Sequence, residues 1–226
     1  MYALSFNAKC NIISPMEKKI IMIITSYIEG EKDKIDELIR DTAADFIICA
    51  DGGVVYAERA GITPDLIVGD FDSLGHAPKG DNVIKVPVEK DDTDLQLALS
   101  LAIENHAKEI TIIGGIGGRV DHTIGNIQNI VHYSENGVEI NMIDPMQSIT
   151  VQRPGTRIYK GGAGMKFSAF AHTPEVTGLT YKGAYYPLNN HTITNSFPLG
   201  ISNEFVDSQI EVSFKTGILI VVRTLL

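Results

Sequence analysis

Short, apolar, β-branched runs alternate with helix-spaced patterns through the first two-thirds of the chain, and the helical spacing then stops. Ile20–Ile24 is a continuous β-branched run, the signature of a strand buried on both faces, and Phe46–Ala50, Leu66–Val68, Ile110–Ile113 and Val138–Ile143 read as further strands. Between them, Lys34–Arg40 places Ile35, Leu38 and Ile39 at amphipathic helical spacing. Gly53–Ala60 reads as a short helix closed by Gly61, with Pro64 beyond it. Thr93–Asn105 sets Leu95, Ala98, Leu99, Ala102 and Ile103 on one face, and Thr93 with Gln96 forms a capping-box pattern at its start. Thr123–Tyr133 carries Ile124, Ile127 and Val131 in register. This alternation predicts an α/β arrangement: a mostly parallel sheet flanked by helices.

From about Ser148 onward the pattern is strand-like only. Ile149–Gln152, Met165–Ala171, Ile210–Phe214 and Ile218–Val222 are separated by Gly161-Gly162, by Pro187 with Asn189-Asn190, and by Pro198 with Gly200. Such punctuation predicts an all-β antiparallel sandwich or barrel. The expected division is an α/β domain over 16–147 and a β-domain over 148–226. A second start-like run, Met16-Glu17-Lys18-Lys19, directly precedes the first apolar run. Residues 1–15 are therefore expected to be an N-terminal extension outside the core.

Composition narrows the class. The chain has 226 residues, 44% of them apolar, and a net charge of -9. That is enough apolar chain for a substantial core, and the acidity argues against a nucleic-acid partner. Cys10 and Cys49 have no paired spacing, so neither a disulfide framework nor a zinc site is expected, which fits a reducing compartment. The longest apolar stretches are too short to span a bilayer. Met1–Pro15 lacks a basic start followed by an apolar core, so it does not read as a signal peptide. The expectation is a cytoplasmic protein without membrane partners.

Four polar clusters follow predicted strands or open predicted helices. They are Asp51-Gly52-Gly53, Gly69-Asp70-Phe71-Asp72-Ser73, Lys90-Asp91-Asp92-Thr93-Asp94 and Gly114–Gly118 with Arg119, Asp121 and His122. Open α/β sheets bind ligands beyond the carboxyl ends of their strands, so all four are expected at one edge. Converging carboxylates repel, by about 4 kcal/mol for a pair near 4 Å at a near-surface dielectric. A hard divalent cation such as Mg²⁺ offsets that, with substrate phosphates completing its shell. Asp70 and Asp72, at i and i+2 in extended chain, are expected on one side and able to share the ion. Arg119 and Lys90 supply positive charge for phosphate. The other five histidines (His76, His106, His132, His172 and His191) are scattered and read as surface or hydrogen-bonded residues.

Taken in order, these four clusters followed by Ser202-Asn203-Glu204 resemble the thiamine pyrophosphokinase family from about Lys18 to the C-terminus. The resemblance implies an α/β domain, a C-terminal antiparallel β-sandwich, and a homodimer whose site lies between the α/β domain of one subunit and the sandwich of the other. It implies ATP and thiamine as substrates, Mg²⁺ as cofactor, and thiamine diphosphate and AMP as products, the final step of thiamine diphosphate formation by salvage. Asp70, Asp72 and Asp94 match the metal-holding positions, with Arg119 and Asp121 as further catalytic residues. Asp51, Gly52, Ser73, Lys90, Asp91, Thr93, Gly117 and Gly118 match the ATP-binding shell. Ser202 and Asn203 match the loop that meets thiamine. The proton acceptor for the thiamine hydroxyl is one of Asp72, Asp94 and Asp121. Two features depart from the family pattern. Family members often carry Gly-Gly after the first strand, where this chain has Thr25-Ser26. The chain has no Trp, so any stacking on thiamine falls to Tyr or Phe.

Three other readings share the same residues: pyrophosphoryl transfer to a pterin alcohol, non-catalytic sensing of thiamine or nucleotide, and magnesium-dependent hydrolysis of ATP. The Ser202-Asn203 loop favours thiamine over the pterin, and the full set of acids argues against a sensor.

Overall fold

The computed structural model describes residues 19–72, 74–87 and 93–225. Ser73, Lys90, Asp91 and the expected extension over 1–15 lie outside the described residues.

The first half runs β1 (Lys19–Ile24), α1 (Lys32–Asp41), β2 (Phe46–Ala50), α2 (Gly53–Ala60), β3 (Leu66–Gly69), β4 (Val83–Lys85), α3 (Asp94–Glu104), β5 (Ala107–Ile113), α4 (Val120–Ser134) and β6 (Glu139–Ile143). Eight strands follow: β7 (Gln147–Gln152), β8 (Gly155–Lys160), β9 (Lys166–Ala171), β10 (Glu175–Lys182), β11 (His191–Thr194), β12 (Asn203–Glu204), β13 (Gln209–Phe214) and β14 (Leu219–Thr224).

The strands β4-β3-β2-β1-β5-β6 are all parallel neighbours in that spatial order. Period-two alternation along β1 sends its side chains to both faces. Ile21 and Ile23 join a core with Leu99 of α3 and Ile130 of α4, while Met22 and Ile24 join one with Ile39 of α1 and Val54 of α2. The helices therefore cover opposite faces, as the alternating pattern predicts. Full burial of each such aliphatic side chain stabilises by roughly 1.5–3 kcal/mol.

The sheet does not stop at residue 147. β7 pairs antiparallel with β6, and β14, β9 and β12 follow, making a single ten-stranded sheet. A second sheet, β11-β10-β13-β8, is antiparallel throughout and packs on the end of the first. Phe167 lies between them, with ring contacts to Tyr159, Tyr181 and Phe205 in edge-on geometry. The sandwich thus shares a sheet with the α/β half. The three-residue edge strand β4 has no counterpart in the sequence reading. It is too short to show a period, and it is held by pairing with β3.

Candidate active site

Asp51 follows β2 directly. Its backbone adopts φ 47°, a conformation that is costly for a residue with a Cβ. Its N–H donates to the Val68 carbonyl at 2.8 Å, which pins the turn against β3. Gly69 permits this approach, because a Cβ there would stand 2.9 Å from the Asp51 Cα. Asp51 is 6% exposed. Gly52 caps α2, its carbonyl accepting the Val55 N–H at 3.1 Å.

Asp70 follows β3. Its Oδ1 accepts the Asp72 N–H at 3.1 Å. Phe71, between the two, takes φ 62° and is buried among the side chains beneath α1 and α2. Asp94 is the first residue of α3. The capping box is fully formed: Thr93 Oγ1 accepts the Gln96 N–H at 3.2 Å, and Gln96 Oε1 accepts the Thr93 N–H at 3.0 Å.

Asp51, Asp70 and Asp94 each bring one carboxylate oxygen to within 4.8 Å of the others. Like charges at such spacing repel by about 3 kcal/mol per pair at an effective dielectric near 20. All three donors are hard carboxylate oxygens, the ligand type Mg²⁺ takes alongside substrate phosphates, and they stand close enough together to hold a metal ion, so the residues fit that ion. The sequence reading grouped Asp70, Asp72 and Asp94. Asp72 lies outside the described trio and Asp51 lies in it. The left-handed turn at Phe71 breaks the extended alternation on which the pairing of Asp70 with Asp72 rested.

Beside the trio opens a cleft of about 700 Å³ that runs from Thr93 and Asp94 past Gly117 and Gly118 to Arg119 and Asp121. The Thr123 hydroxyl donates to the Gly117 carbonyl and accepts the Gly117 N–H, both at 3.1 Å, which ties the glycine loop to α4. Arg119 donates to Asp121 through Nε at 3.2 Å and Nη2 at 2.6 Å. The bidentate bond, seconded by the Arg119 charge, holds the Asp121 carboxyl below the usual carboxylate range and raises Arg119 further. Both side chains are mostly exposed, so the pair is weak enough to open toward a ligand. Tyr27 and Asn126 also line the cleft. The sequence reading passed over both. The one signal for Tyr27 was its place directly after Thr25-Ser26, at the departure from the family pattern.

In the sandwich half, Ser202 takes φ 57° and donates its backbone N–H to Ser168 Oγ at 3.1 Å. Asn203 is buried, and its amide is committed to backbone. Nδ2 donates to the Tyr186 carbonyl at 2.8 Å, while Oδ1 accepts the N–H of Tyr186 and of Glu204, each at 2.9 Å. Asn203 therefore fixes the loop that carries Tyr185 and Tyr186, both well exposed.

Known proteins agree with this architecture. Residues 36–142 match the family model described as "Thiamin pyrophosphokinase, catalytic domain", and residues 156–219 match "Thiamin pyrophosphokinase, vitamin B1 binding domain". A thiamine pyrophosphokinase of Bacillus subtilis (strain 168) is 36% identical over 203 residues, covering 86% of this chain and 95% of its own. Two crystal structures are similar throughout. One, of a thiamine pyrophosphokinase from Bacillus subtilis, has a TM-score of 0.78 at 34% identity, covering 91% of this chain and 99% of its own. The other, from Geobacillus thermodenitrificans, has a TM-score of 0.76 at 31% identity, covering 91% and 97%. With both halves matched in order and near-complete coverage of these relatives, the chain belongs to the thiamine pyrophosphokinase family.

Proposed function

We propose that the Asp51, Asp70 and Asp94 trio holds Mg²⁺ at the mouth of the cleft, and that the chain carries out its family's reaction there. That reaction is ATP-dependent pyrophosphorylation of thiamine to thiamine diphosphate. The observation carrying this reading is the convergence of three carboxylates from three separate segments beside a cleft that also presents Arg119. Bound there, Mg²⁺ would neutralise phosphate charge and orient the triphosphate. Asp72 is assigned to the same ion from the lip of the turn.

The remaining work falls to the chain's own residues. Arg119 leaves Asp121 to pair with phosphate oxygens, a bidentate match of guanidinium to phosphate. Gly117 and Gly118 let the phosphates approach backbone closely. Gly52, Thr93 and the residues Ser73, Lys90 and Asp91 complete the ATP shell. The thiamine hydroxyl oxygen attacks the β-phosphorus in line, the bond to the α-phosphate oxygen breaks, and AMP leaves. The proton acceptor is one of Asp72, Asp94 and Asp121; when Arg119 turns to the phosphates, the hydrogen bonds that lower the Asp121 carboxyl are released.

Thiamine is assigned to the Ser202 and Asn203 loop, with Ser202 as the direct contact and Asn203 acting by holding Tyr186. A homodimer brings that loop to a partner's cleft. Half of the exposed large apolar side chains among the described residues, including Tyr185, Tyr186, Phe197 and Ile201, fall within 185–206, which favours a covered face there. The catalytic and thiamine-binding functions divide near residue 147. No helix among the described residues is long and apolar enough to cross a membrane, and the acidic chain fits the cytoplasm.

Incubation with ATP, Mg²⁺ and thiamine, with products identified by mass, tests the reading. Thiamine diphosphate and AMP are expected. ATP breakdown that ignores thiamine, or transfer to a pterin alcohol instead, would contradict it.

A further inference from the structure

β1 lies between β2 and β5, and the helices after β1 and β5 cover opposite faces of the sheet. Loops leaving two such strands diverge, and the crevice between them is where open α/β sheets take ligands. Tyr27 is on the loop after β1, and Gly114–Gly118 form the loop after β5.

Tyr27 is held at its backbone and open at its ring. Its carbonyl accepts the Gly115 N–H at 2.9 Å and the Thr25 hydroxyl at 3.0 Å. Its ring lies on Gly118, where a Cβ would stand 2.9 Å from Tyr27 Cζ and 3.0 Å from Cε1. Gly118 has φ 60°, so any side chain there is disfavoured by both the backbone and the ring. Tyr27 is nevertheless 45% exposed, and it lines the same cleft as Asp94 and Arg119. An aromatic ring backed by peptide and open to a cleft is a stacking platform that needs little ordering on binding.

We propose that Tyr27 stacks against the nucleobase of the triphosphate substrate, with Arg119 and the carboxylate trio taking its phosphates. This rests on the ATP reading above and adds to it the seat of the base. The same cleft wall carries Thr93, Asp94 and Arg119, which take the triphosphate in the ATP reading, so the ring stands beside the nucleotide's path. Every base has a π-face, so this contact anchors the nucleotide without selecting adenine.

The test compares Tyr27→Ala, Tyr27→Leu and Tyr27→Phe in the full chain. Stacking on an aromatic side chain predicts a rise in the KM for ATP of roughly 5- to 100-fold in the Ala and Leu variants. Their kcat and KM for thiamine stay within about twofold, and Tyr27→Phe behaves as wild type. Calorimetric titration with AMP and, separately, inorganic tripolyphosphate isolates the base. Tyr27→Leu loses AMP affinity by the same factor and keeps its tripolyphosphate affinity. Equal losses for the two probes would mean that the ring only supports the loop, and would overturn the proposal. So would an unchanged KM for ATP, or a rise confined to thiamine. A wild-type protein that makes no thiamine diphosphate, yet binds AMP in a Tyr27-dependent way, would sink the activity reading and leave the stacking intact.

Discussion

Asp51 and Asn203 are both buried polar residues at a strand end, one in each half of the molecule; Asp51 is itself left-handed, and Asn203 directly follows the left-handed Ser202. Asn203 spends its amide on neighbouring backbone, satisfying the chain at Tyr186 and Glu204. Asp51 brings its carboxylate beside those of Asp70 and Asp94. The first arrangement stabilises a shape. The second accumulates like charge, which opposes folding and favours a cation. In this molecule the α/β half gathers like charge at one point, while the sandwich half uses a polar group to hold a loop in place. Removing a polar group should therefore have opposite consequences in the two halves.

The largest expected effect is at the trio. Asp70→Asn lowers kcat at least about a hundredfold, the scale of a single electrostatic group in a preorganised site. Its thermal midpoint without metal is equal to or above wild type, because one like charge has gone. A loss of stability together with near-normal turnover would erase the contrast between the halves.

Asn203→Ala should do the reverse. It leaves backbone groups of Tyr186 and Glu204 without partners, which destabilises by about 1–3 kcal/mol. The KM for thiamine rises more than that for ATP, and kcat changes little. Denaturant unfolding and steady-state kinetics check both parts. Equal rises in the two KM values would detach the loop from thiamine.

Thr93→Ala sharpens the comparison, since the capping box lies in the charged half but acts as structure. It removes one side of a reciprocal pair, at a cost of about 1 kcal/mol. It also loosens the first turn of α3, which positions Asp94, so kcat falls severalfold. A change in stability with no change in kcat would separate Asp94 from its cap.

The smallest effect concerns Arg119 and Asp121. The Arg119 hydrogen bonds lower the folded pKa of Asp121. The pair is therefore intact above the ordinary carboxylate pKa and is lost as pH falls through the lowered one. Carboxyl NMR should find Asp121 titrating below the usual range, and Arg119→Ala should return it there. Because both groups are exposed, the thermal midpoint should scarcely move.

The strand and helix pattern of the α/β half was legible because strands buried on both faces and amphipathic helices have distinct periods. Thr93 with Gln96 announced the start of α3 from two residues alone. β4 was not legible, since three residues carry no period. The place of Asp51 beside Asp70 and Asp94 was not legible, because it depends on a left-handed turn after β2 that is pinned against β3. Alternation assigns side chains to faces only in extended chain, and Phe71 turns left-handed between Asp70 and Asp72. Tyr27 was hidden differently. Nothing in a sequence tells that the ring of one loop will rest on a glycine more than ninety residues away. Asn203 was noticed through the family resemblance, but its commitment to the Tyr186 backbone depends on a contact across a turn that no spacing encodes.

The central claim is that aspartates from separate segments share one divalent ion. Crystals grown with Mn²⁺ in place of Mg²⁺, read by anomalous scattering, test it most directly. The expected result is a peak bonded to carboxylate oxygens of Asp51, Asp70 and Asp94 at about 2.1 Å, the distance scale of such octahedral oxygen sites, and missing in Asp70→Asn. A peak elsewhere in the molecule with the trio empty, or one that persists in the Asp70→Asn variant, would contradict it.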